Sequence, residues 1–171
     1  MATTPILALP YPLDTDRVTD GDNAIRALAE RLEAKMPRGN LAHIETQVVT
    51  SGIGVTPVQL TGLTTTVTVP ANRLIRVSGL VTFGQPTGNG IANLDIYDGA
   101  ASIQSVFISL SPTAPGVTYA PLFITRTLTP AAGGHNWRLV ATCNVGTIAT
   151  QNNAANRFAV LDVDDIGSTL A

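Results

Sequence analysis

Residues 91–110 read IANLDIYDGAASIQSVFISL. In the first half, Leu94 and Ile96 alternate with Asn93, Asp95 and Tyr97. A period of two sets one face of a strand against a core and leaves the other polar. Asp98-Gly99 follows, a pair suited to a tight hairpin because glycine accepts the positive φ that such turns need. The apolar pattern then resumes over Ile103–Leu110.

The same grammar extends in both directions. Apolar and β-branched runs occur at Ile44–Val49, Val55–Leu60, Leu63–Val69, Leu74–Phe83, Thr118–Leu128, Trp137–Asn144 and Arg157–Val163. Turn signals separate them: Ser51-Gly52, Thr61-Gly62, Pro70-Ala71-Asn72, Gly84–Gly90, Ser111-Pro112, Ala131–Gly134 and Asn152-Asn153. Short strands with regular turn signals predict an antiparallel β-sandwich, and eight or nine strands suit a jelly-roll-like arrangement. Threonine is abundant, notably at Thr64, Thr65, Thr66 and Thr68. Such a face serves as an ordinary solvated strand face or pairs with another sheet without burying charge.

The first 36 residues are built differently. They hold six acids and four bases, against six and six in the longer remainder. Pro5, Pro10 and Pro12 impose extended backbone on a short segment that carries Ile6, Leu7, Leu9, Tyr11 and Leu13. An apolar arm of this kind needs a surface to cover it. A helix of about four turns is predicted next, with Thr19 or Asp20 as N-cap and Asp22 in the first turn. Ile25, Leu28, Leu32 and Met36 recur at helical spacing and form one apolar stripe. That stripe requires a partner, either sister helices or the sandwich. Pro37 and Gly39 mark a break, so the chain divides into an arm and helix over 1–38 and a β-domain over 39–171.

Composition excludes several function classes. The net charge is -2 and the sequence pI about 5.5, which provides no basic stripe for nucleic acid. Charged residues make up 13% of the chain, and Lys35 is the only lysine. That share is roughly half the usual ~25%, and a weakly charged polar surface favours contact between copies. No run reaches the ~20 apolar residues of a membrane span, and Met1–Leu9 lacks the pattern of a secretory leader. A soluble protein made in the cytoplasm is expected.

Reactive groups are sparse. Cys143 is the single cysteine, in an apolar run where it reads as a small core residue. His43 is placed at a strand start and His135 at a loop end, and no motif joins them. No zinc-protease, redox-cysteine, nucleophile-elbow or phosphate-loop motif is present. Asp14, Asp16, Asp20 and Asp22 fail as a calcium loop, because aligning Gly21 puts Val18 and Ala27 at ligand positions. They read better as helix-start carboxylates. Asp162 and Asp164 share a strand face at ~7 Å, a pair that glycoside hydrolysis could use. Without an aromatic cleft the plainer reading is a solvated face, with Leu161 and Val163 inward. Trp137 reads as a core or interface residue. No catalytic residue, cofactor or metal is expected.

The stretch from Leu9 to Leu32 carries Leu-Pro-Tyr-Pro at 9–12, Asp16-Arg17-Val18, Gly21, Ala24-Ile25 and Leu28-Ala29. It resembles the opening of small virion proteins of actinobacterial tailed phages, variously termed head fibre, capsid decoration or minor tail proteins. The ending, Val160–Gly167, is also similar to their closing strands. The resemblance implies a non-enzymatic homotrimer at the virion surface. Its N-terminal arm would be fixed to the major capsid protein, or alternatively to tail proteins, with the β-domain outward. The matching anchor and assembly positions are Leu9, Pro10, Tyr11, Pro12, Val18, Ile25, Leu28 and Leu32. A tail-associated receptor or carbohydrate binder is the alternative, using the loops Gly84–Gly90 or Ser111–Gly116, and a depolymerase is a third reading.

Overall fold

A computed structural model describes residues 2–3, 10–11, 18–84, 86–111, 119–151 and 158–168, with side chains from residue 23 onward except 33 and 34. The chain opens with two short strands, β1 (Ala2–Thr3) and β2 (Pro10–Tyr11), paired antiparallel. Helix α1 (Val18–Lys35) follows. Next come β3 (Gly39–Thr46), β4 (Val58–Val69), β5 (Arg73–Gly84), β6 (Gly90–Asp98) and β7 (Ala101–Leu110). The chain continues through β8 (Tyr119–Leu128), β9 (Gly133–Cys143), β10 (Ala149–Thr150) and β11 (Ala159–Ser168).

The pairing is nested. β6 and β7 form the hairpin read from residues 91–110, with Gly99 at φ 56 in its turn. Around that pair wrap β5 with β8, β4 with β9, and β3 with β11, all antiparallel. One long hairpin rolled in this way has jelly-roll connectivity. It gives two facing sheets. One runs β3-β11-β5-β8, with β10 beside β5 beyond the end of β11, and the other runs β4-β9-β6-β7.

The core lies between them. Ile75, Val77, Val81, Phe83, Ile124, Leu161 and Val163 come from the first sheet, and Leu63, Leu94, Ile96, Trp137, Leu139 and Cys143 from the second, all buried. The apolar positions alternate as strand geometry requires, and each large side chain so placed contributes about 1.5–3 kcal/mol. The sheets approach closely at Gly79, where a Cβ would lie 2.6 Å from Leu139 Cδ1.

Several sequence expectations need correction. β4 is one strand where two were predicted across Thr61-Gly62. Its register to β9 shifts between Gln59 and Thr64, and Gly62 takes φ 79. A bulge with a positive-φ glycine lets a strand continue where a turn would end it. β3 starts at Gly39 and ends at Thr46, so His43 is mid-strand. His135 sits inside β9, which opens at Gly133, and not at a loop end. α1 begins at Val18, so Thr19 and Asp20 lie within its first turn and neither is the N-cap. Both are tolerated there because first-turn N–H groups have no intrahelical acceptor and the dipole favours an acid. The helix has 18 residues, about one turn more than expected.

Candidate functional site

The five residues of the β11 run Leu161–Asp165 show how alternation sorts chemistry. Leu161 and Val163 point into the core, while Asp162 and Asp164 share the outer face, as expected. Asp165 follows on the inner phase and is buried, with its side chain fully covered.

That burial is matched by Arg73 at the start of β5. The Arg73 Nε donates to both Asp165 oxygens at 3.1 and 2.9 Å, and Nη2 donates to Oδ1 at 2.7 Å. Asp165 Oδ1 also accepts from the Gly167 amide at 3.0 Å. Arg73 Nη2 further donates to the Met36 carbonyl, just past the end of α1. A buried guanidinium–carboxylate fork thus ties the helix exit to the sandwich. The sequence reading assigned Asp162 and Asp164 to the outer face and gave Asp165 no place. Counting its phase against Leu161 and Val163 was the available signal, and Arg73 had none.

On the outer face of the β3-β11-β5-β8 sheet, cross-strand register lines up Glu45, Val160, Leu80 and Phe123 in one row. The next row is His43, Asp162, Ser78 and Thr125, and beyond it lie Asn40, Asp164, Arg76 and Thr127. His43 Nδ1 lies 2.6 Å from Asp162 Oδ1, and Nε2 lies 3.2 Å from Glu45 Oε1. Arg76 Nη2 donates to Asp164 Oδ2 at 2.8 Å, and Asn40 Nδ2 donates to Asp164 Oδ1 at 3.1 Å. A hollow of about 330 Å³ opens among His43, Ser78, Leu80, Phe123, Val160 and Asp162. Its apolar wall is open to solvent, with Phe123 59% and Leu80 39% exposed.

The charge states follow from the partners. The hydrogen bond to Asp162 raises the His43 pKa, and the one to Glu45 adds to it. An imidazole facing a carboxylate at each nitrogen favours the doubly protonated form, in which it bridges Asp162 and Glu45.

His135 has the same double arrangement on the other sheet. Its Nδ1 faces Asp98 Oδ2 at 2.6 Å, its Nε2 faces the Ala131 carbonyl at 2.9 Å, and its ring stacks on Trp137. Partial burial works against its charge, and the bonds to Asp98 and Ala131 outweigh it, so its pKa is raised above 6.5. A raised native value means stabilisation that is complete below the unfolded pKa and lost as pH rises through the native one. The expected outcome is that His135→Gln lowers the Tm more at pH 5.5 than at pH 8.5. Equal losses at both pH values would contradict the bridging role.

The anchor positions are distributed as follows. Leu9 and Pro12 lie outside the described residues. Pro10 and Tyr11 form β2, opposite Thr3 and Ala2, and Val18 opens α1. On α1, which lies beside β2 and reaches β11 at its C-terminal end, Ala24 is buried. Leu28 is half-buried, whereas Ile25, Leu32 and Met36 are 60%, 37% and 59% exposed. Packing against the sandwich therefore does not cover the stripe. Asp14 and Asp16 also lie outside the described residues. Among the described residues no group of three or more His, Cys, Asp or Glu is placed to hold a metal ion, and no helix is long and apolar enough to cross a membrane.

No protein-family model matches the chain, and no curated protein matches it. Among solved structures it is similar to dimeric latent PorU from Porphyromonas gingivalis, at 12% identity and TM-score 0.45 over 77% of this chain and 13% of that one. It is also similar to Eiger TNF from S. frugiperda, at 12% identity and TM-score 0.47 over 77% of this chain and 96% of that one. The chain thus spans only a small part of the PorU polypeptide.

Proposed function

We propose that this chain is a non-enzymatic structural protein of a tailed-phage virion, a homotrimeric capsid decoration or head-fibre protein attached to the major capsid protein by its N-terminal arm. The observation that carries this reading is the uncovered stripe Ile25, Leu32 and Met36 on a helix tied to the sandwich at one end. An 18-residue helix is near the marginal length for standing alone in water, and its stability comes from burying its apolar side. A particle surface or sister helices supply what the sandwich leaves undone. The resemblance over Leu9–Leu32 names the kind of particle.

The test is gold-label electron microscopy of purified particles with an antibody to residues 40–171. Label spread over the heads is the expected result. Label confined to the tail would favour the tail-associated alternative, and absence of the epitope even from denatured particles would refute the virion reading. The full chain is expected to decorate particles, and a chain lacking residues 1–36 is expected to remain folded but lose attachment. The deletion removes the hydrogen bond from Arg73 to the Met36 carbonyl, and a hydrogen bond to a charged group is worth about 1.5–3 kcal/mol. Full occupancy by the truncated chain would refute the anchor.

One observation favours the receptor- or carbohydrate-binding reading enough to test it. A hollow of about 490 Å³ is lined by the polar residues Asn89, Ser109, Ser111 and Asn144 together with Gly90, Ile91 and Leu110, bringing together two of the loops singled out from sequence. Amides and hydroxyls of this kind hydrogen-bond sugars. Binding on a glycan array that Asn89→Ala abolishes would support it.

A further inference from the structure

We infer that the outer face of the β3-β11-β5-β8 sheet is a contact between subunits, occupied by the β7/β8 side of a second copy of the same chain. The inference rests on the assembly part of the reading above and not on the identity of the particle.

Exposed large apolar residues within the strands are concentrated here. Leu80, Tyr119, Phe123 and Ile166 belong to this sheet, whereas Phe107 alone belongs to the other. The charges on the face are already suited to burial. Asp164 is held by Arg76, and Asp162 and Glu45 share His43, so each acid has a partner before any subunit arrives. A charge is buried tolerably only when it is paired in this way.

The pairing leaves a remainder. Glu45, Asp162 and Asp164 stand against His43 and Arg76, an excess of one negative charge even with His43 protonated. The complementary charge is on the same molecule. β7 and β8 are the neighbouring edge strands of the two sheets, β7 contains no charged residue, and β8 contains only Arg126. Arg126 is exposed and makes no ion pair or side-chain hydrogen bond with any described residue. Edge strands usually carry charges or proline that discourage pairing, and β7 has neither. β8 contributes to both surfaces: Phe123 lines the net-negative hollow, whereas Arg126 stands opposite the inward Val77, on the other phase of the edge strand. Joining unlike surfaces gives a heterologous contact, which closes into a ring when the rotation between copies closes and otherwise builds a filament. A homotrimer is the smallest ring of this kind.

The experiment is sedimentation velocity on the full-length chain and five full-length variants. The wild type is expected to be a ring oligomer. Phe123→Glu should weaken self-association by at least roughly 30-fold, the loss expected of an apolar anchor at an interface centre. Val55→Glu, at a position 72% exposed and away from the face, should not weaken it. Glu45→Arg and Arg126→Glu should each weaken it, and the double variant Glu45→Arg/Arg126→Glu should recover much of the loss. All of these residues are exposed, so retained thermal unfolding separates lost assembly from lost folding. An oligomer unaffected by Phe123→Glu, or no recovery in the double variant, overturns the assigned contact while leaving attachment to particles untouched. A monomeric wild type overturns the contact and the trimer together, with particle labelling still deciding the virion reading.

Discussion

Asp165→Ala is expected to destabilise the protein by about 3–5 kcal/mol, the cost of breaking a buried ion pair by removing one partner. The change leaves the Arg73 guanidinium, whose side chain is only 3% exposed, without the carboxylate that accepts from its Nε and Nη2. It also removes the acceptor of the Gly167 amide. Against a total stability of ~5–15 kcal/mol, the loss is a large fraction. Removing both members should hurt less than removing one. Arg73→Met/Asp165→Leu keeps the volume, leaves no orphan charge and is expected to lie well above either single variant in urea midpoint. If the double variant is as unstable as the sum of the singles, desolvation is not what governs this pair. The same measurement separates Asp165 from its neighbour. Asp164→Ala breaks a surface pair with a half-exposed Arg76 and should cost at most about 1 kcal/mol.

Trp137→Ala is the second large effect, expected at about 3–5 kcal/mol. Trp137 is fully buried in β9, between Thr65 of β4 and Asp98 of β6, and it supports the His135 ring that bridges Asp98 and Ala131. Truncation opens a cavity at the end of the core and releases that bridge together with the β6–β7 turn. Trp137→Phe should be far milder for a particular reason. The indole Nε1 is buried with no hydrogen-bond partner, and an unsatisfied donor of this kind costs about 1–3 kcal/mol. Phenylalanine loses some packing but removes that donor. Chemical denaturation of both variants gives the comparison, and a Phe variant as unstable as the Ala variant would mean that the indole is satisfied in solution. The pH experiment on His135 then provides an independent check, since Trp137→Ala should also flatten the acid-side stabilisation.

Much of the architecture was legible because strand periodicity is a local property. The hairpin over 91–110, the inward phase of Leu161 and Val163, the apolar setting of Cys143 and the exposed stripe on α1 all follow from spacing along the chain. Thr61-Gly62 was misread for an equally local reason. The same pair supports a turn or a bulge, and only the presence of β9 alongside decides between them. The candidate surface was legible only as single residues. His43 and Asp162 are separated by 119 positions, and no spacing rule relates them. Glu45, Leu80 and Phe123 become neighbours only through the cross-strand register.

The sequence by itself therefore determined that the chain beyond the helix is mostly strand, which face of strands such as β6 and β11 turns inward, and that the helix carries an apolar side. Those are consequences of backbone geometry and side-chain hydrophobicity over a few residues. Tertiary structure alone decided that Asp165 is buried on Arg73 while the adjacent Asp164 meets Arg76 on the opposite face, that both histidines bridge two acceptors, and that an apolar hollow with a slight negative excess sits on one outer face. Nested pairing brings together strands far apart in the chain, and the free energy of a buried charge or an exposed aromatic depends on what stands opposite it.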